Sequence, residues 1–149
     1  MNDVISRLSQ LIEAVPKILA VSETVLSTRP APDKWSQKEI LGHLCDSAVN
    51  NLARFINVQI VEPPFSVESY DQNQWARLQH YQQASIQDIV QLWIYLNKSI
   101  IRVISTIPEE KYGCMCKLFN GDTVSLQWLV SDYLAHMEHH LRQISADSI

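Results

Sequence analysis

The sequence predicts an all-α protein built as a four-helix bundle. Its 149 residues contain four long stretches in which apolar side chains recur at helical spacing. The chain has only 3 glycines, and of its 6 prolines all but Pro16 lie between these stretches; none lies within an alternating, strand-like pattern. Amphipathic helices separated by connections are typical of a bundle with one shared core. The length is suited to a single domain over residues 1–149.

The first helix and the linker after it are marked by proline. Apolar spacing predicts a helix over residues 3–27, and Pro16 should kink this helix or mark a restart because it removes one backbone hydrogen bond. The proline-rich residues 29–35 are predicted to form a linker.

The second helix has the clearest beginning. Ser36 and Glu39 form a capping box, in which each side chain can bond the backbone N–H of the other residue. This helix should extend to about Ile60. A long polar connection over residues 62–82 follows, with a short helix possible near residues 70–75. Connections of this length in a compact domain are usually functional or tightly packed.

The third and fourth helices complete the bundle. Ser85 and Asp88 cap the third helix, which Pro108 stops. Residues 109–123 contain a turn and allow a short hairpin. The fourth helix is predicted from about Ser125 to Ala146.

The amino-acid composition argues against several classes of protein. The net charge is −4 and no cluster of Lys or Arg occurs, which argues against a nucleic-acid partner. No run of about 18 apolar residues is present, so we expect no membrane span. The first residues are acidic where a signal peptide is basic, and three cysteines are an odd number for a disulfide framework. We therefore expect a cytoplasmic protein with reduced thiols.

Histidines near the C-terminus offer a candidate metal site. His136 and His140 are four residues apart and share the flank of the apolar face of the fourth helix, whereas His139 points elsewhere. Two buried imidazoles need partners, because an unpaired buried polar ring costs about 1–3 kcal/mol. Spacing alone leaves open whether these two histidines bind a metal ion or are satisfied by hydrogen bonds in the core.

His43 is the candidate third ligand, from the second helix. It lies off the main apolar stripe, so it is either exposed or turned toward a polar cleft shared with the fourth helix, and periodicity cannot distinguish the two. His80 should be a surface residue. Cys114 and Cys116 lack the paired C-x-x-C spacing of a structural zinc site.

Three segments resemble one known family. Residues 35–47 resemble the W-S-x-x-E-x-x-x-H-L-x-D-S segment of the DinB-like/YfiT-like superfamily. Residues 136–144 are similar to its closing H-x-x-H-H-x-x-Q-I segment, and residues 70–75 are similar to its middle loop. The three occur in the family's order and span nearly the whole chain.

This resemblance implies an up-and-down four-helix bundle, often a homodimer, that binds one divalent metal ion. By position its ligands would be His43, His136 and His140. Neutral imidazoles suit Zn, Ni, Co or Fe, and three protein ligands leave positions for water or a thiol. The side chains of Asp46, Asp132 and Gln143 lie three or four residues from a ligand. Each could orient a ligand's second ring nitrogen, or simply be solvated at the surface.

The resemblance implies three alternative functions. The first is a metal-dependent thiol S-transferase, such as the bacillithiol S-transferases, acting on a small-molecule substrate with a low-molecular-weight thiol. The second is a metal-dependent hydrolase, and the third is a non-catalytic, stress-associated module that binds a metal or ligand. No side chain stands out as a general base, so the reactive group would be water or a thiol on the metal.

Overall fold

The computed structural model describes residues 1–145. The helices are α1 (Asn2–Ile18), α2 (Glu23–Ser27), α3 (Gln37–Ile60), α4 (Gln72–Leu78), α5 (Ile86–Ile104) and α6 (Leu126–Ile144). The strands are β1 (Phe65–Ser66), β2 (Met115–Lys117) and β3 (Thr123–Ser125). The long helices α1, α3, α5 and α6 form a bundle, which confirms the predicted all-α four-helix fold. No helix within the described residues is long and apolar enough to span a membrane.

The first predicted helix is in fact two helices. Pro16 lies inside α1, and the break falls later, at residues 19–22. Ser22 begins α2, because its side chain accepts a hydrogen bond from the backbone N–H of Val25. The restart that was one of the two alternatives predicted for Pro16 is therefore present within residues 3–27, but it falls after the proline, and the Ser22 cap determines where the second segment starts.

The predicted caps of the later helices are present. Ser36 Oγ accepts from the Glu39 backbone N–H at 3.2 Å, and the Ser36 N–H donates to Glu39 Oε2 at 2.9 Å, so both halves of the capping box form. The side chain of Ser85 caps α5. α5 ends at Ile104, four residues before Pro108. The predicted end of the last helix at Ala146 lies outside the described residues.

A small sheet packs beside the bundle. β2 and β3 pair antiparallel, which confirms the predicted hairpin. β1 adds to β2 in parallel, with Phe65 opposite Cys116. The connection between α3 and α5 thus contains both a strand and the short helix α4. The strand was not predicted, because two residues carry no periodicity.

The order of the helices determines which of them can share a site. α3 packs against α5 and α6, and α1 packs against the same two helices, so α1 and α3 lie diagonally across the bundle. The Cys45 thiol contacts the Ile89 carbonyl, and Phe55 contacts Tyr133, whose hydroxyl donates to Asn97. α3 and α5 therefore run in the same direction, which their long connection permits. α3 and α6 are antiparallel neighbours.

Candidate metal centre

The first half of α3 is buried on its polar side as well as on its apolar side. Lys38 and Glu39 are both buried, and each forms an ion pair with a residue that precedes α3, Glu23 and Arg29 respectively. The Gln82 amide also donates to Glu39, at 3.0 Å. α2, the linker and the end of the long connection thus cover this face. The alternative in which His43 is exposed is excluded, because its side chain is fully buried.

The structure brings together the three histidines that the family resemblance suggested. The candidate ligand atoms of His43, His136 and His140 all lie within 4.8 Å of one another. His43 Nε2 is 3.4 Å from His136 Nε2, and the ring centroids are 4.6 to 5.2 Å apart. We call these three side chains the histidine triad. α3 supplies one member and α6 supplies the other two, one helical turn apart.

Gln143 contacts one ring of the triad. Its side-chain oxygen lies 3.2 Å from His140 Nδ1 and accepts the ring N–H when that nitrogen is protonated, which leaves the lone pair of Nε2 free to bind a metal ion. The Gln143 amide nitrogen lies 3.1 Å from His139 Nε2. His139 is exposed and outside the triad, as the helical projection predicted.

The triad is electrically neutral near neutral pH. Burial, followed by the proximity of His140 and His136, lowers the pKa of His43 to about 3. Burial and the neighbouring histidines lower the pKa of His136 to about 4, and burial also lowers the pKa of His140. Neutral imidazoles carry the lone pairs that a metal ion needs. Three of them at this spacing fit Zn, Ni, Co or Fe better than Mg or Ca.

Asp46 and Asp132, the other two residues that could orient a histidine ring, have different surroundings from Gln143. Asp46 is buried, and its Oδ1 accepts from the Tyr81 hydroxyl at 2.6 Å and from the Gln79 amide at 3.3 Å. It therefore ties α3 to the segment before α5 rather than to a histidine ring. Asp132 lies in the cavity beside His136, where burial raises its pKa and the nearby Arg54 opposes that rise.

Trp35 and Tyr81 are site residues whose positions the sequence did not predict. The Trp35 ring centroid is 4.9 Å from that of His43 and 6.4 Å from that of His140. Tyr81 packs so closely on Gly42 that an added Cβ would lie 2.2 Å from its ring. The available signal was position, since Trp35 directly precedes the capping box and Gly42 directly precedes His43.

Two cavities lie beside the triad. One of about 400 Å³ reaches His136 and is lined by polar side chains of α3 and by aromatic residues of α6 and the hairpin. A larger one of about 800 Å³ is lined by Trp35 and Gln143, and both of these residues also contact rings of the triad. Within residues 1–145 the triad is the one cluster of three or more potential metal ligands. The cysteines at positions 45, 114 and 116 are free thiols outside it.

Known proteins are similar to this chain over most of its length. The sequence model of the DinB superfamily matches residues 3–144. "Putative metal-dependent hydrolase YfiT" of Bacillus subtilis is 22% identical over 144 residues, 91% of this chain and 79% of the relative. "Putative metal-dependent hydrolase OB0782" of Oceanobacillus iheyensis is 26% identical over 153 residues, which cover 97% of this chain and 86% of the relative.

Two solved structures share the fold of this chain. One, described as YfiT from Bacillus subtilis, "a probable metal-dependent hydrolase with an unusual four-helix bundle topology", superposes with a TM-score of 0.88 at 18% identity. It covers 97% of this chain and 83% of that one. A DinB-like protein from the same organism has a TM-score of 0.64 at 14% identity, over 95% of this chain and 87% of that one. The chain belongs to the DinB superfamily.

Proposed function

We propose that this protein is a metal-dependent enzyme in which His43, His136 and His140 bind one divalent transition-metal ion next to a small-molecule cavity. The observation that carries the proposal is the convergence of three neutral imidazoles, with candidate ligand atoms within 4.8 Å of one another. Such an ion supplies Lewis acidity and makes water or a thiol nucleophilic near neutral pH.

The protein's own side chains hold the site rigid. Gln143 orients the His140 ring from one side, and Trp35 packs against His43 and His140 from another. His136 lines the smaller cavity, so a substrate there lies next to the ligand set.

Hydrolysis is the first candidate reaction. The similar proteins are named metal-dependent hydrolases, and a single cavity in contact with the triad is sufficient for one substrate plus water. Thiol transfer is the second candidate, because the larger cavity beyond Trp35 and Gln143 offers space for a second substrate. A non-catalytic metal-binding module is the third. Cytoplasmic location and a homodimer remain predictions.

Metal analysis of protein purified without a histidine tag tests the ligand set. We expect close to one equivalent of metal in the wild type and in His139→Ala, which removes an exposed neighbouring imidazole. His43→Ala, His136→Ala and His140→Ala should each lose stoichiometric metal, because two remaining imidazoles bind such an ion much more weakly. Equal loss in His139→Ala would refute the assignment.

Activity assays separate the three functions. The metal-loaded protein is tested with ester and amide substrates in water, and with electrophiles in the presence of glutathione or bacillithiol, with and without a chelator. Chelator-sensitive turnover in water alone supports a hydrolase, and turnover that requires the thiol supports a transferase. Stoichiometric metal without turnover of any substrate supports the non-catalytic module.

A further inference from the structure

The smaller cavity extends from the triad along the groove between α3 and α6. Ser47, Asn51 and Arg54 line it from α3 at spacings of four and three residues, which places them on one helix face. Asp132 and His136 line it from α6, four residues apart. Since the two helices are antiparallel, the cavity has the triad toward one end and Arg54 toward the other.

Arg54 is a half-buried cation with unused hydrogen-bonding capacity. Nη2 donates to the Glu68 carbonyl at 2.6 Å, and Nη1 has a long contact of 3.4 Å to Asn51 Oδ1. A guanidinium has five N–H donors, so three remain. The ion pairs within residues 1–145 are Arg7–Glu138, Arg29–Glu39 and Lys38–Glu23, and Arg54 takes part in none of them.

The remaining wall of the cavity is largely apolar and partly open to solvent. Phe119 and Trp128 line it, although they are 78% and 44% exposed, and Leu118 lies beside them. Aromatic rings at the rim of a cavity can cover the apolar part of a bound molecule. Burial raises the pKa of the Tyr70 phenol to about 12, so its hydroxyl stays protonated and can donate a hydrogen bond.

We propose that this cavity binds a small molecule with a carboxylate and an apolar body. The carboxylate pairs with Arg54, the apolar body lies against Phe119 and Trp128, and the reactive bond faces His136. This inference rests on the proposed function and identifies the substrate class of the same site.

The charges in the cavity favour a carboxylate over a phosphate. Arg54 supplies one positive charge and can bind a carboxylate through two parallel N–H donors. Asp132 is the other residue of the lining that carries a full charge, and it repels anions. In the metal-free protein, a phosphate dianion would bring a second negative charge with no second cation in the lining to balance it.

Calorimetric titration with defined probes tests the subsite without any turnover. The probes are 3-phenylpropionate, the uncharged 3-phenylpropanamide and phenyl phosphate, titrated into metal-free and metal-loaded protein. We expect 3-phenylpropionate to bind at least about tenfold more tightly than the amide, because it gains a charge-assisted pair. The preference should persist without metal, since Arg54 rather than the triad provides it.

Substitutions test whether Arg54 causes the preference for the carboxylate over the amide. Arg54→Gln should abolish it, and Arg54→Lys should retain part of it, because lysine keeps the charge but lacks the paired donors. Arg102→Gln removes an exposed arginine of α5 outside the cavity and is the matched control, which should bind like the wild type. Circular dichroism and metal content should be the same in all variants.

The outcomes distinguish this inference from the proposed function. In the metal-free protein, an Arg54→Gln variant that keeps the full preference, or a wild type that prefers phenyl phosphate, overturns the carboxylate subsite even if the wild type binds metal. A wild-type protein that binds no metal overturns the proposed function, while an Arg54-dependent preference in the metal-free protein still supports the subsite.

Discussion

Acid should destabilise the metal-free protein, with His43 as the largest single cause. Its pKa is lowered from 6.5 to about 3, first by burial and then by the neighbouring histidines. As the pH falls, the unfolded chain therefore binds a proton near pH 6.5, whereas the folded protein does not bind one until near pH 3. The contribution of neutral His43 to the free energy of unfolding is therefore fully present above its unfolded pKa of 6.5. It is lost as the pH falls from there toward about 3.

The size of the effect follows from the two pKa values. Below the unfolded pKa, one such group costs about 1.4 kcal/mol per pH unit, so His43 should cost about 2 kcal/mol between about pH 7 and pH 5. The pKa of His136 is lowered from 6.5 to about 4, so this group destabilises the folded protein over a similar pH range. Its side chain is only half-buried, so we discount its contribution to about 1 kcal/mol for solvent screening. Burial raises the pKa values of Asp46 and Asp132, which act in the opposite direction.

Urea unfolding of chelator-treated protein at several pH values measures this dependence. His43→Gln replaces the imidazole with an amide that does not titrate, so its stability should fall about 2 kcal/mol less than that of the wild type over the same range. His139→Gln changes an exposed ring and should follow the wild-type curve. A His43→Gln curve parallel to the wild type would refute a buried, neutral His43. If that variant does not fold, His136→Gln provides the same comparison with a smaller difference.

Two further substitutions test the supports of the triad. Gln143→Leu removes the acceptor for His140 Nδ1, so we expect the metal affinity to fall about 10- to 100-fold. Competition with a chromogenic chelator measures this affinity. An unchanged affinity would show that the contact does not orient the ring. Gly42→Ala puts a Cβ 2.2 Å from Tyr81, so it should lower the free energy of unfolding by about 1–3 kcal/mol. Gly113→Ala has open space around it and is the control, and equal effects of the two changes would contradict the packing argument.

The parts of the fold that depend on local pattern could be predicted from the sequence. Helical periodicity and serine caps located α3, α5 and α6 to within a few residues. The spacing of His136 and His140 placed both rings on one flank of a single helix, since four residues make about one turn. These features need no knowledge of what packs against the helix.

The parts that depend on tertiary packing could not be predicted in this way. Whether His43 faces water or the interior is decided by α2, the linker and the connection before α5, which cover its side of α3. The partners of Asp46 and the cavity around Arg54 also come from segments distant in sequence. The family resemblance suggested His43 because it reflects a whole fold rather than one helix.

Because α1 and α3 lie diagonally across the bundle, helices and connecting segments contribute different parts of the site. The chain must cross the end of the bundle between these helices, and this crossing segment carries Trp35 to the triad. The histidines themselves stand on regular helices, whereas much of the cavity wall belongs to the connections. Insertions or exchanges in those connections can therefore remodel what enters the site while the ligand positions stay unchanged. Such a scaffold allows related proteins to diverge in substrate without any rearrangement of the helices.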